Sequence, residues 1–384
     1  MRILIVYDCL FPHTIGGAER WYRNLAERLA ADDHDVTYLT LRQWPRGERP
    51  DVAGVDVRVA GPRLALYAAG GRRRIAPPLV FGAGVLAHLL RRGRSYDVVH
   101  TASFPYFSLL AAGLLRRMQG YRLVVDWHEL WSRAYWREYL GPVGGRIGWM
   151  VQRRGVRLRQ RAFCFARLTA RRLQEERVRG PVTVLEGEYA GPLEPPPPRP
   201  ARLHVVFAGR HIPEKRVPAL VPAIAAAREA LPDLRGTILG DGPERPAVLE
   251  RIAQLGLREV VDAPGFVSAE AVQDALGSAL CMVLPSGREG YGMVVIEAAA
   301  AGTPSVVVAA PDNAAVELVE EGVNGFVARD ASPQALADAI CRVHAAGPQL
   351  RASTRAWFAA NARRLSIETS LELVAGAYRG EHAA

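Results

Sequence analysis

Two segments of this 384-residue sequence combine basic residues, glycines and carboxylates in an order that suits an anionic ligand. The first segment, residues 207–216, places Arg210 and Lys215 in a loop directly after a strand-like run, and Lys215 is the only lysine of the chain. A planar guanidinium and a compact ammonium beside a helix N-terminus suit a diphosphate. We therefore predict that these two cations bind a diphosphate; the alternative is an ordinary basic surface loop.

The second segment, residues 285–298, joins a strand to an apolar helix through a glycine-rich loop. Glu289 lies in that loop, and Glu297 lies about one turn inside the helix, among valine, isoleucine and alanine residues. Free backbone N–H groups and the helix dipole favour a phosphate, and ionised carboxylates accept hydrogen bonds from sugar hydroxyls. A glycine turn with two surface glutamates explains poorly an acid in so apolar a helix. The other candidate binding residues of this segment are Gly290, Tyr291 and Gly292.

The first half of the chain contributes weaker candidates. Gly16 and Gly17 stand between a strand-like run and a helix, where the backbone can approach a ligand closely. His128 follows another strand-like run. Each signal alone is weak, because tight strand-to-helix turns favour glycine and a single histidine is usually structural. No carboxylate cluster is placed to hold a metal, so we predict neither a metal nor another cofactor.

Strands and helices must position these residues. Short apolar, β-branched strands alternate with helices in both halves, which predicts an α/β protein of two doubly wound parallel-sheet domains. We predict a first domain over residues 1–190, a stiff proline-rich linker over residues 191–200, a second domain over residues 201–365, and a C-terminal helix over residues 366–384 that could pack back on the first domain. Two such domains would face a central cleft, with ligands beyond the carboxyl ends of the strands.

Individual elements follow from the same patterns. In the second half, for example, the sequence predicts a helix over Val217–Ala230, a strand over Glu259–Asp262 and a helix over Pro333–Ala345. The periodic tail over Thr354–Tyr378 is also predicted to be helical.

Composition narrows the class of protein. The chain is 49% hydrophobic and 23% charged, which excludes a disordered or collagen-like protein. Its four cysteines lie far apart, which argues against a disulfide framework and fits a reducing cytosol. The chain opens on a strand-like run rather than a signal peptide, and its longest apolar stretch, residues 75–90, is shorter than the ~20 residues of a spanning helix. We therefore expect a cytoplasmic protein.

The positive charge is concentrated in the first half. Residues 1–190 contain 31 arginines and 17 acidic residues, a net charge of +14, whereas the remainder carries −4. An anionic partner is expected, although a solvated arginine-rich face is the alternative. Nucleic acid is not expected, because no nucleic-acid-binding motif is present. We predict that residues 146–179, with eleven arginines, dock on the anionic inner face of a membrane, helped by Ile147, Trp149, Met150 and Val151.

With these residues in view, the second half resembles the nucleotide-binding domain of the retaining glycosyltransferases of family four, which have the GT-B architecture. The signature of two glutamates separated by seven residues is met by Glu289 and Glu297. The first half resembles the family more weakly, through residues 16–19 and His128. The other matching motifs are Gly209-Arg210 with Glu214-Lys215, residues 239–243, residues 265–267, Pro285-Ser286, residues 302–304 and residues 321–325.

The resemblance implies an activity and a set of roles. Residues 201–365 would bind a nucleotide sugar, and residues 1–190 would bind the acceptor, which could be a sugar, a lipid-linked molecule or a small metabolite. The family transfers sugars with retention and without a metal. The implied catalytic residues are His128, Arg210, Lys215 and Glu289; the implied donor-binding residues are Gly16, Gly17, Phe266, Val267, Gly290, Tyr291, Gly292 and Glu297.

Two other functions stay open at this stage. The same fold could serve a sugar phosphorylase or a nucleotide-sugar epimerase, and phosphate-dependent release of a sugar phosphate would identify the phosphorylase. Alternatively, the basic first half could make the chain an anion-binding protein without enzymatic activity. The sequence departs from the family pattern at residues 184–189 and at Thr169, so contacts with the acceptor do not follow from the resemblance there.

Overall fold

The computed structural model describes residues 1–14, 16–66, 74–197 and 199–380. The chain forms two compact units. The first unit comprises Met1–Leu185 together with the described residues from Ser370 onward, and the second comprises Glu186–Thr369. The predicted linker, residues 191–200, belongs to the second unit, apart from Pro198, which lies outside the described residues.

The first unit is built on a seven-stranded parallel sheet in the order β3-β2-β1-β4-β5-β6-β7. The central strands are almost wholly buried, because helices cover both faces of a parallel sheet, whereas the edge strands β3 and β7 contain no fully buried residue. The strands are β1 (Arg2–Val6), β2 (Asp35–Leu41), β3 (Val55–Gly61), β4 (Val98–Ala102), β5 (Arg122–Trp127), β6 (Arg161–Cys164) and β7 (Val182–Val184).

Within the described residues, five helices connect these strands. Helix α3 ends at Gly120, whose left-handed backbone (φ 85°) turns the chain into β5. Helix α4 is interrupted at Gly141 (φ 74°), directly before Pro142, so its long second part begins there. The helices are α1 (Gly17–Ala31), α2 (Ala76–Arg92), α3 (Tyr106–Gln119), α4 (Arg133–Val156) and α5 (Arg167–Glu175).

The second unit has a six-stranded parallel sheet in the order β10-β9-β8-β11-β13-β15, and a two-stranded pair of β12 with β14. Its strands are β8 (His204–Ala208), β9 (Arg235–Leu239), β10 (Val261–Gly265), β11 (Cys281–Leu284), β12 (Arg288–Glu289), β13 (Ser305–Val308), β14 (Asp312–Asn313) and β15 (Gly325–Ala328).

Two helices of the second unit begin at serine caps: the side chains of Ser268 and Ser332 accept hydrogen bonds from the first turns of α8 and α10. Helix α10 is interrupted at Gly347. The helices are α6 (Leu220–Ala227), α7 (Arg245–Gln254), α8 (Ala269–Ser278), α9 (Met293–Ala300), α10 (Pro333–Leu365) and α11 (Ile367–Arg379), and α11 belongs to the first unit from Ser370 onward.

The predicted fold class is confirmed, since both units are doubly wound, parallel-sheet domains of the Rossmann type. Some element boundaries differ from the prediction. The strand predicted over Glu259–Asp262 is observed over Val261–Gly265, and it includes Pro264 because β10 is the edge strand of its sheet. The helix predicted over Val217–Ala230 is shorter, because a 3₁₀ turn at Val217–Ala219 precedes α6.

Both sheets reverse their strand order beside their first strand. In the first unit the reversal lies between β1 and β4, and in the second unit it lies between β8 and β11. Open α/β sheets bind ligands beyond the carboxyl ends of the strands at such a reversal. In the second unit, the loop after β8 carries Lys215 and the loop after β11 carries Glu289. The topology therefore brings two residues predicted from separate motifs to one edge of the sheet.

Candidate functional site

An ion pair between Lys215 and Glu289 stands at the centre of the candidate site. Lys215 Nζ donates to Glu289 Oε1 over 2.5 Å, and Ser286 Oγ donates to the same carboxylate oxygen over 2.6 Å. The Lys215 side chain is 19% exposed and that of Glu289 is 10% exposed. Both charged groups therefore keep some access to solvent, and a ligand could reach them.

A second ion pair of reversed polarity lies next to the first. Arg288 Nη2 donates to Glu214 Oε1 over 3.3 Å, and Gly287 N donates to the backbone oxygen of Glu214 over 2.9 Å. Glu214 and Lys215, which follow β8, thus form ion pairs with Arg288 and Glu289 of β12, respectively. This arrangement fixes the loops after β8 and β11 relative to each other.

Asn313 holds the loop after β11 in place. It is buried, and its Nδ2 donates to the backbone oxygens of Ser286 over 3.2 Å and of Val308 over 2.8 Å. In addition, Glu289 pairs with Asn313 where β12 runs parallel to β14. The sequence presents Ser286 only as part of a motif of the resemblance, without a role, and nothing in it indicates Asn313 as a supporting residue. A buried asparagine must find hydrogen-bond partners for its amide within the fold, and no spacing in the sequence predicts which groups these are.

The glycine-rich loop leads directly into α9. Gly292 has a left-handed backbone (φ 112°), and a Cβ there would lie 2.7 Å from Cβ of Ala315. Only glycine fits this conformation without strain. The preceding Tyr291 is buried, donates its hydroxyl hydrogen bond to the backbone oxygen of Glu186, and has a pKa raised by burial. Tyr291 therefore anchors the loop, while Gly290 is half-buried beside it.

Glu297 lies within α9 and is half-buried. Its carboxylate lies within electrostatic reach of Tyr189: burial raises the pKa of Tyr189, and the negative charge of Glu297 raises it further. Both residues belong to the second unit. Tyr189 was not predicted as a neighbour of Glu297, because it is distant in sequence and precedes the proline-rich segment.

The loop after β8 approaches its neighbour closely. A Cβ at Gly240, whose φ is 115°, would lie 1.9 Å from the backbone oxygen of Gly209, so the turns after β8 and β9 can meet only with glycine there. Arg210 follows as an exposed residue. The next residue, His211, is buried, and burial lowers its pKa, so its imidazole is neutral. Nothing in the sequence singles out His211 as a site residue.

Two predicted binding residues follow β10. Phe266 is 74% exposed, an unusual position for a large aromatic side chain, and Val267 is half-buried. Such an exposed ring at the carboxyl end of a strand can stack against a planar ligand.

In the first unit, Gly16 and Gly17 lie at the start of α1, as predicted from the sequence; Ile15, between them and the preceding loop, lies outside the described residues. The Glu19 carboxylate covers Gly16, because a Cβ there would lie 2.3 Å from Glu19 Oε2. A Cβ at Gly17 would meet no atom within 4 Å. The space beside Gly17 is therefore open within the described structure.

His128 directly follows β5 and packs between aromatic rings. Its ring stacks on Phe165 with centroids 4.7 Å apart, and Tyr22 approaches it edge-on at 6.0 Å. Burial lowers the pKa of His128 to about 4 and outweighs the opposing attraction of Asp126. The imidazole is therefore neutral near pH 7 and can donate or accept a hydrogen bond without carrying a charge.

A buried hydrogen-bond network lies beneath His128. Asp126 accepts from Trp21 Nε1 over 2.7 Å, and His100 Nε2 lies 2.7 Å from its other carboxylate oxygen. The second nitrogen of His100 lies 2.5 Å from the hydroxyl of Tyr378 in α11. Burial favours the protonated acid, but the attraction of His100 and the hydrogen bonds from His100 and Trp21 outweigh it and hold the pKa of Asp126 below its usual value.

No pattern in the sequence predicts this network. Its members lie on α1, β4, β5 and α11, and no spacing links them.

Within the described residues, no group of three or more His, Cys, Asp or Glu side chains could together hold a metal ion. No helix among the described residues is both long and apolar enough to cross a membrane.

Two family models match the chain, and together they cover most of both units. Residues 15–187 match the family described as Glycosyltransferase Family 4, and residues 202–346 match the family described as Glycosyl transferases group 1. With its two Rossmann-like domains, the chain therefore falls in the class of glycosyltransferases with the GT-B fold. Within that class it belongs to the family four type.

Several curated proteins are similar to the chain. The D-inositol 3-phosphate glycosyltransferase of Streptomyces griseus is 35% identical over 182 residues, which cover 45% of this chain and 38% of that protein. The chain spans 38% to 40% of the length of three such Streptomyces relatives. The enzyme of the same name from Corynebacterium urealyticum is 27% identical over 412 aligned residues, covering 95% of this chain and 90% of that protein.

Among solved structures, Anabaena HepE in complex with UDP superimposes with a TM-score of 0.74, covering 99% of this chain and all of that chain. Its sequence identity is 20%, so this likeness establishes the fold. The same protein has also been crystallised with UDP-glucose.

Proposed function

We propose that this protein is a retaining glycosyltransferase that moves a hexose-type sugar from a nucleoside diphosphate sugar to a hydroxyl acceptor, without a metal ion. The acceptor oxygen bonds to the anomeric carbon as the bond between that carbon and the diphosphate oxygen breaks. The nucleoside diphosphate leaves with the bonding electron pair, and the acceptor proton passes to it or to solvent. Because negative charge develops on the leaving diphosphate, fixed cations beside it lower the barrier.

The Lys215–Glu289 pair at the strand-order reversal of the second unit carries this proposal. An ammonium has three donor hydrogens, so Lys215 can keep Glu289 as a partner and still donate to a phosphate oxygen. Glu289 already accepts from Ser286 and has a second carboxylate oxygen for a sugar hydroxyl. One side chain would thus stabilise the leaving group while its partner orients the transferred sugar.

The remaining roles follow the family resemblance. Arg210 shares the diphosphate with Lys215, and Glu297 accepts hydrogen bonds from the ribose. The neutral imidazole of His128 contacts the transferred sugar near the reacting carbon. The other donor contacts would come from Gly16 and Gly17 on the phosphate and sugar, from Phe266 and Val267 around the base, and from the backbone of Gly290, Tyr291 and Gly292 on the phosphates.

Uridine diphosphate sugars are the first donors to test, because HepE, which has the same fold, binds UDP and UDP-glucose. The similarity to D-inositol 3-phosphate glycosyltransferases makes a phosphorylated polyol one acceptor to include. A panel of donors and acceptors is therefore the appropriate form for the assay.

The test is turnover of this panel, followed by NMR of the anomeric proton of the product. We expect release of nucleoside diphosphate that depends on an acceptor, and a product with the anomeric configuration of the donor. Glu289→Gln should lower turnover strongly, whereas Glu259→Gln, a matched change at an exposed residue, should leave it unchanged. An inverted product, or a sugar phosphate released only with inorganic phosphate, would refute the proposal.

We propose further that the protein is cytoplasmic and docks peripherally on an anionic membrane through α4. In its second part, Val143, Ile147 and Met150 are 72%, 58% and 44% exposed, and their spacing of four and three residues puts them on one helix face. Exposed arginines share this face, which suits the boundary between anionic headgroups and acyl chains. These arginines are Arg146, Arg154 and Arg157.

The sequence-based prediction of this surface needs one correction. Of the four apolar residues expected at the interface, Ile147 and Met150 are exposed, but Trp149 and Val151 are half-buried and pack against the core of the first unit. Trp149 also lies between the guanidinium groups of Arg133 and Arg153, 5.3 Å and 5.0 Å from its ring. The docking face therefore centres on the exposed residues of α4.

Sedimentation with vesicles tests this part of the proposal. We expect binding to vesicles containing phosphatidylglycerol at low salt, weaker binding at high salt, and loss of binding in an Ile147→Asp/Met150→Asp variant. Leu255→Asp, at an exposed apolar residue of the second unit, is the control and should bind as the wild type does. Absence of binding at low salt would refute the docking and leave the transferase activity untouched.

A further inference from the structure

A basic cavity of about 360 Å³ opens at the opposite edge of the first sheet from His128. It lies where β4, β5 and β6 begin, whereas His128 follows the end of β5. Four arginines line it, from α3, from the start of β5, and from the start of β6 and the residues just before it. They are Arg116, Arg122, Arg159 and Arg161. The cavity is therefore a separate feature of the first unit, with no residue of the glycosyltransferase site in its wall.

The positive charge of this cavity is uncompensated within the described part of the chain. None of the four guanidinium groups there forms an ion pair with a carboxylate. The neighbouring Asp97 is already bound by Arg2, over 3.0 Å. Of the four guanidinium groups, that of Arg122 also donates through Nη2 to Met1 Sδ over 3.4 Å. Each guanidinium has five donor hydrogens, so an anion with several acceptor oxygens can form bidentate hydrogen bonds with the arginines that line the cavity.

The rest of the wall is largely apolar. Val98, Leu123, Val124 and Ala377 line the cavity between the arginines. Gly180 and Gln160 also line the cavity and pack closely there: a Cβ at Gly180 would lie 1.8 Å from the backbone oxygen of Gln160. A volume of this size exceeds what a bare phosphate needs and falls in the range of small-molecule sites. The chemistry that fits is a phosphate group on a small organic body.

We infer that this cavity is a second ligand site, which binds a phosphomonoester of about monosaccharide size. Tyr378 also lines the cavity, and its hydroxyl belongs to the buried network with His100 and Asp126. A bound phosphomonoester would therefore hold α11 against the sheet through the cavity wall. The ligand's binding energy adds to the stability of this part of the first unit.

Calorimetric titration with glucose 6-phosphate, in a buffer free of phosphate and sulfate, tests the inference. We expect binding by the wild type, none with glucose, and at least tenfold weaker binding by an Arg122→Ala/Arg161→Ala variant. Arg117→Ala, an exposed arginine outside the cavity, is the matched control and should bind as the wild type does. Lys215→Ala should also bind normally, which separates this site from the proposed donor site.

Two further measurements complete the test. Hydrogen exchange of the wild type with glucose 6-phosphate should slow at residues 370–380, a readout that needs no variant to fold. Vesicles containing phosphatidic acid, which also carries a phosphomonoester, distinguish a lipid source of the group from a soluble one when they are tested with the Ile147→Asp/Met150→Asp variant, which lacks the proposed docking through α4. The inference is wrong if glucose 6-phosphate fails to bind the wild type and these vesicles fail to bind that variant, or if the Arg122→Ala/Arg161→Ala variant binds glucose 6-phosphate as the wild type does.

Discussion

The carboxyl ends of the two sheets carry polar clusters of different construction. In the second unit, Glu214 and Lys215 face Arg288 and Glu289 in two half-buried ion pairs. In the first unit, Asp126 and His100 are completely buried and are linked to other buried side chains. Half-buried ion pairs can exchange a partner for a ligand at small cost, whereas a buried network loses stability when one member is removed. The second cluster is therefore suited to binding, and the first to holding the fold.

Removing the lysine should give the largest effect on activity. Lys215→Ala deletes the proposed contact with the leaving diphosphate, and such a contact contributes about 2–4 kcal/mol to the transition state, a roughly 30- to 1000-fold loss of kcat/KM. Arg216→Ala, at the exposed neighbouring residue, should lose much less. Steady-state kinetics of both variants check this, and equal losses would remove the special role of Lys215.

Removing the charge of Asp126 from the buried network should lower the free energy of unfolding. Asp126→Asn removes the charge that holds His100 and Trp21, and breaking a buried charged interaction from one side costs about 3 kcal/mol. Asp97→Asn is the control, because its ion pair with Arg2 is largely exposed and contributes at most about 1 kcal/mol. Urea unfolding measures both variants. Similar losses in both variants would show that the buried network contributes no more to the free energy of unfolding than an exposed ion pair does.

The same comparison explains how much the sequence could predict. The residues of the second cluster lie in two short segments, so the loops and the position of Lys215 and Glu289 at one sheet edge could be anticipated from motif and topology, whereas their ion pair was not predicted. Asn313 and Tyr189 could not, because their roles arise from contacts between distant parts of the chain. The Asp126 network joins four elements, and only tertiary packing brings its members together.

A pH titration of stability tests the burial of His128, which lies next to the buried network of the first unit. The pKa of His128 is about 4 in the folded state and about 6.5 in an unfolded chain, so the unfolded state binds more protons between these values. Stability should therefore be fully present above pH 6.5 and fall as the pH drops toward 4. His34, His88, His204 and His211, whose pKa values are also lowered, act in the same direction.

Urea midpoints between pH 4 and pH 7 measure this dependence. His128→Gln should flatten the curve in part, since the other histidines remain. A curve with the slope of the wild type would mean that His128 is already charged in the folded protein, or exposed to solvent.

The smallest expected effect is that of a chelator. Because the proposed charge stabilisation comes from Arg210, Lys215 and helix dipoles, EDTA should leave turnover unchanged. The check is an assay before and after EDTA treatment, with magnesium and manganese added back. Loss of activity that either ion restores would show that a metal, rather than the protein's own cations, stabilises the leaving group.

The central claim is that the Lys215–Glu289 cluster binds the diphosphate of a nucleotide donor. Calorimetric titration of UDP, GDP and ADP into the wild type, Lys215→Ala and Asp97→Asn tests it most directly. We predict that at least one nucleoside diphosphate binds the wild type and Asp97→Asn equally well, and binds Lys215→Ala at least tenfold more weakly. Equal affinity for Lys215→Ala, or no binding of any of the three nucleotides to the wild type, would contradict the account.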